Sequence, residues 1–94
     1  MSVYLVTWDL NRERQNYAQA RQNLITHLSK YDHIRDAGLD SVWFISSNGT
    51  ADGLSSDIQT HLDDNDRLVV TKMVVGQQQG WLAQNVWEWI SARL

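Results

Sequence analysis

Cysteine is absent from this 94-residue chain, and so is proline. Without cysteine there is no disulfide framework, no thiolate zinc site and no thiol nucleophile. No apolar run approaches the ~20 residues that would span a bilayer. Asp9 interrupts the first apolar stretch, and no basic region precedes it, so the N-terminus does not read as a signal peptide. The expectation is a cytoplasmic protein with no membrane partner. Neither sign of charge forms a block. Eight Lys and Arg stand against eleven Asp and Glu, a net charge of −3, which is not the balance of a strong general nucleic-acid binder. There is no internal repeat, no phosphate-cradling glycine loop, no G-x-S-x-G and no H-E-x-x-H. The one biased stretch, Gly76-Gln77-Gln78-Gln79-Gly80, reads as a short connection.

What is present fits one domain over residues 1–94. Its core is modest at this length, and a partner subunit would add stability. Residues 4–10 are rich in Val, Tyr, Thr and Trp and predict a strand. Tyr17, Ala20, Leu24, Leu28 and Tyr31 recur at helical spacing and predict a helix over 17–30, with Asn16 at its N-cap. The alternation over 32–37 predicts a short edge strand, and residues 41–46 a firm central one. Thr50 is placed to cap a helix running to about Leu62, with Leu54, Ile58 and Leu62 on its buried face. Residues 67–75 predict the most continuous strand, and 81–94 a Trp-rich final helix.

The order β-α-β-β-α-β-α predicts an α+β fold: a ferredoxin-like βαββαβ unit with an antiparallel sheet, plus an extra C-terminal helix. The first and last strands are apolar on both faces, yet the two crossover helices cover one face only. A half-solvated sheet alternates apolar with polar residues. The second face therefore requires a cover: the C-terminal helix, a second subunit, or both.

The segment Tyr4-Leu-Val-Thr-Trp-Asp9-Leu-Asn11 is an apolar strand ending in an aromatic-Asp pair. It resembles the opening of the small CRISPR-associated adaptation endonucleases of ferredoxin-like fold. It is still more similar to their relatives labelled SinR-family or Cas-like. Ser41-Val-Trp43-Phe-Ile45, Thr50-Ala-Asp, the turn from Asp63 to Leu68 and the Trp-containing tail 81–94 extend that resemblance over nearly the whole chain. It implies a homodimer. It also implies a Mg²⁺-dependent phosphodiesterase activity in some members, in which the Asp matching Asp9 from each subunit flanks the dimer axis and holds the metal. The tail departs from the pattern, since it reads as a helix rather than a strand completing a partner's sheet.

Asp9 stands where an apolar strand opens into a loop, a usual place for a functional carboxylate. Two readings stay open. Asp9 is a catalytic ligand for Mg²⁺, which favours carboxylate oxygens and would activate water against a phosphodiester. Alternatively, it caps its own loop through the amides of Asn11 or Arg12. Asn11, Arg12, Arg14 and Arg21 are the candidate nucleic-acid contacts beside it; Glu13 among them suits a solvated, mixed-charge loop equally well. The run Asp63-Asp64-Asn65-Asp66 lacks the Gly and distal Glu of a calcium loop and reads as turn chemistry. His27, His33 and His61 show no pair four residues apart and no spacing that makes them converge. Trp8 and Trp43 read as core. Trp87 and Trp89 point to different sides of their helix, which favours an interface. The function expected is a non-catalytic dimeric module that binds nucleic acid or protein in phage defence or a toxin-like system. The alternative is a Mg²⁺-dependent endonuclease using Asp9.

Overall fold

The computed structural model describes residues 1–12 and 15–94. At the centre of its sheet lie β1 (Ser2–Asp9) and β3 (Val42–Ser47), the two segments richest in β-branched and aromatic residues. They pair antiparallel from Ser2 opposite Ser47 to Thr7 opposite Val42. On one side β3 takes β2 (Asp32–Ile34), and on the other β1 takes β4 (Arg67–Lys72), so the order is β2-β3-β1-β4 with every neighbour antiparallel. Helices α1 (Tyr17–Leu28) and α2 (Ala51–Gln59) each connect two parallel strands that have another strand between them.

Both helices close one face. Val6, Trp8, Trp43 and Ile45 of the sheet meet Leu24 and Leu28 of α1 and Ile58 of α2, with Leu68 and Val70 of β4 at the margin. The Thr50 side chain accepts the Gly53 N–H at 3.0 Å, which starts α2 as expected. Asn16 holds the N-cap position of α1 but makes no side-chain capping bond; its carbonyl accepts the Ala20 N–H at 2.9 Å.

The second face is covered by α3 (Gln84–Arg93). Val86 and Ile90 are buried against Val3 and Phe44, with Leu5, Ile34, Val42, Leu82, Trp87, Trp89 and Leu94 around them. This cover stops short of β4, where Val69 remains 56% exposed. The helix begins at Gln84 rather than at Trp81 because the segment after β2 supplies its start: Asp36 Oδ2 accepts the Ala83 N–H at 2.7 Å, and Asp36 Oδ1 accepts that of Gly38 at 2.7 Å. At the other end Arg93 Nε lies 3.1 Å from Asp32 Oδ2. The two backbone donors hold the Asp36 carboxyl below its usual range. Asp36→Ala is therefore expected to lower the melting temperature at neutral pH. The deficit relative to the parent should shrink below about pH 4, where the parent carboxylate also protonates. A constant deficit from pH 7 to pH 2, followed by circular dichroism, would count against this capping role.

The last strand is shorter than its composition suggests. Met73 N–H still donates to Val3 O at 2.8 Å, but the Gln77 N–H then turns back to Val74 O at 2.9 Å. Gly76, at φ +82°, makes that turn possible, and Val74 and Val75 leave the ladder with it.

Candidate functional site

Asp9 is the last residue of β1. It is exposed and lies opposite Arg67 in the ladder. Two shallow clefts meet at it. One, of about 340 Å³, is walled by Thr7, Ser41, Arg67 and Val69; the other, of about 240 Å³, by Arg12, Tyr17, Arg21 and Asp40. The structure thus brings Asp9, Arg12 and Arg21 to one corner and adds Arg67. Spacing gave no hint of Arg67, because cross-strand register is a tertiary property. Arg14 lies outside the described residues.

The cations at this corner are engaged. Arg21 Nη2 contacts Asp40 Oδ1 at 3.2 Å, and the Arg12 guanidinium stands 5.9 Å from the centre of the Tyr17 ring. Arg67 Nη1 donates to the carbonyls of Asp66, at 2.9 Å, and Asp64, at 3.3 Å. The Asn11 backbone N–H ties this corner to the acidic turn. It donates to Asp66 Oδ1 at 2.8 Å, so the loop after β1 is braced by Asp66 across the fold. Asp66 Oδ2 also accepts the Asp63 N–H at 3.0 Å, and Asp63 Oδ1 accepts that of Asn65 at 2.9 Å. The acidic run is turn chemistry, with its last carboxylate buried.

Among the described residues no group of three or more His, Asp or Glu side chains is placed to hold a metal ion. A cation at Asp9 would need further oxygen ligands from a second subunit, from water or from a substrate phosphate.

A second constellation lies between the helices, where spacing predicted no convergence. Asp57 Oδ2 on α2 accepts from Tyr31 Oη, from His27 Nε2 at 2.8 Å and from Lys30 Nζ at 3.0 Å. The His61 ring packs on the His27 ring with centroids 4.3 Å apart. The packing of α1 on α2 brings these residues together, so no one-dimensional pattern announces them. The Tyr31 hydroxyl is pushed up to about 12 by burial and by the Asp57 carboxylate; that carboxylate is held far below its usual range, first by the Tyr31 bond.

The third feature is an apolar cleft of about 590 Å³ between β4, the sheet's second face and the start of α3. Leu5, Phe44, Met73, Leu82 and Trp87 form its floor, Gln77–Gln79 its rim, and Trp81 stands beside it 98% exposed. Trp8 and Trp43 are buried with ring centroids 6.2 Å apart, as core residues should be. Trp87 and Trp89 both pack on the second-face core.

No helix among the described residues is long and apolar enough to cross a membrane. No family model matches the chain, and no solved structure matches it.

Proposed function

We propose that this chain is a Cas-like, ferredoxin-fold, dimeric binding module that works without catalysis, in phage defence or a toxin-like system. The fold reading is supported by the strand order β2-β3-β1-β4 with a helix on each crossover, which is what a split β-α-β unit requires. The observation that carries the binding reading is the open apolar cleft beside α3, with Leu39, Val74 and Trp81 exposed in its lining. Contiguous exposed apolar surface marks an interaction site on a protein of this size. Protein suits this surface better than nucleic acid, since Lys72 is the one charged residue among the described lining residues. Nucleic acid, if bound, would be met at the Arg12, Arg21 and Arg67 corner, through few phosphates and with a shallow salt dependence.

The endonuclease alternative is supported by the exposed Asp9 at a strand end, and Asp9→Asn tests it. In the binding reading, the purified protein leaves RNA and single- and double-stranded DNA intact with Mg²⁺, Mn²⁺ or EDTA. The substitution then costs at most about 1 kcal/mol, the usual scale of an exposed charge pair. Metal-dependent cleavage by the parent that disappears in a folded Asp9→Asn protein would replace the binding reading with the enzymatic one.

A further inference from the structure

We propose that the free edge of β4 pairs antiparallel with the same edge of a second copy of this chain, with Val69 on the two-fold axis, so that the two sheets continue as one. This rests on the dimeric reading above and adds where the copies meet and in what register.

Among the described residues β4 is the end of the sheet and pairs with β1 alone. The bond from Met73 N–H to Val3 O fixes which groups face inward. By the two-residue period of a strand, Arg67, Val69, Thr71 and Met73 turn their N–H and C=O toward β1. Leu68, Val70 and Lys72 present theirs to the outside. Such a row is a template for another strand unless proline, a bulge, charged side chains or a covering element blunts it, and the charges of β4, Arg67 and Lys72, stand at its two ends with four uncharged residues between. The six residues of β4 contain no proline, and their ladder with β1 runs unbroken from Arg67 to Lys72.

Charge selects the occupant. The edge is acidic where the Asp63–Asp66 turn leads in and basic at Lys72. Arg67 is occupied at its own end by the Asp64 and Asp66 carbonyls and faces Asp9 across the ladder. A strand running antiparallel with the same polarity of charge sets each acidic turn against a Lys72. A second copy related by a two-fold axis does so twice. Charge and exposure together choose the register. With the axis at Val69, Lys72 falls opposite Asp66, two residues from the exposed Asp64 of the same turn, and the exposed Val69 covers its mate. Moving the axis to Val70 sets Lys72 against Leu68, and moving it to Leu68 sets Val69 against Arg67.

This pairing makes Val69 a non-hydrogen-bonded cross-strand pair, with Cα atoms about 4.5 Å apart, within the range of a disulfide. The chain has no cysteine, so Val69→Cys introduces a single thiol. Under mild copper–phenanthroline oxidation it is expected to give mostly covalent dimer on a non-reducing gel. Gln22→Cys, on the exposed side of α1, should stay largely monomeric. Lys72→Glu turns two opposite-charge meetings into like-charge ones and should weaken dimerisation by about tenfold; adding Asp64→Lys to the same chain should restore it. A dimer by light scattering whose Val69→Cys form crosslinks no better than Gln22→Cys overturns this seam and leaves the dimeric reading standing. A parent that is monomeric at all concentrations up to millimolar overturns both.

Discussion

Deletion of residues 80–94 is expected to abolish cooperative folding. Val86 and Ile90 are among the most completely buried side chains in the protein, and Leu82, Trp87, Trp89 and Leu94 pack around them. Each large side chain taken out of water contributes about 1.5–3 kcal/mol. Removing α3 also uncovers much of Val3, Leu5, Val42 and Phe44, leaving Ile34 and Met73 as the neighbours of that cluster outside the deleted segment. A domain of this size has a total stability of about 5–15 kcal/mol. The lost burial is of that order, so the truncated chain should aggregate or lack a thermal transition by circular dichroism. A milder version separates the helix from its packing: Ile90→Ala leaves the backbone intact and should cost about 2–5 kcal/mol. At ~4–8 °C per kcal/mol for a domain of this length, the melting temperature should fall visibly. A truncation that melts cooperatively at the parent temperature would show that α3 is an appendage, and that the second face is covered by another subunit.

Strand and helix identity was legible because each segment carries its own period. Val6 and Trp8 alternate with Leu5 and Thr7, and Leu24, Leu28, Leu54 and Ile58 recur at helical steps. The requirement for a second cover was also legible, since β1 is apolar on both faces, and α3 meets most of it. Boundaries were less so, where distant residues set them. The start of α3 depends on Asp36, far away in the chain, and the end of β4 depends on a turn that Gly76 makes possible. At the candidate site, Asp9 could be picked out as a strand-end residue, with Arg12 in the loop and Arg21 in the helix that follow it. Arg67 and the bracing role of Asp66 required the ladder register and the loop's return across the fold. The Asp57 constellation was invisible for a related reason. His27 in the last turn of α1 and Lys30 and Tyr31 just after it stand close together in the chain, but their acceptor belongs to α2, and only the packing of the two helices decides that they meet.

That constellation yields an expectation with opposite signs at the two ends of the pH scale. Asp57 accepts three donors at one oxygen, so Asp57→Ala leaves the Tyr31 hydroxyl, His27 and Lys30 without that acceptor. The carboxylate is 36% exposed, so water replaces part of what is lost, and the cost at neutral pH should be about 1–2 kcal/mol. The folded state holds the Asp57 carboxyl below its ordinary value, chiefly through the Tyr31 hydrogen bond. Its contribution is therefore complete above the unfolded value near 4 and is lost progressively as the pH falls below it. Tyr31 behaves conversely. Its hydroxyl is raised to about 12 by burial first and then by Asp57, so the folded state retains that proton after the unfolded chain has released it near 10. Stability should then fall between about pH 10 and 12. Tyr31→Phe removes the ionisable hydroxyl and with it the alkaline decline. It also takes away the largest influence on Asp57, so the acid decline should become shallower in the same variant. Urea unfolding followed at closely spaced pH values reads both limbs. A Tyr31→Phe protein that keeps the parent's alkaline decline would place its origin in another tyrosine or in the lysines, and would reduce the Tyr31–Asp57 contact to packing alone.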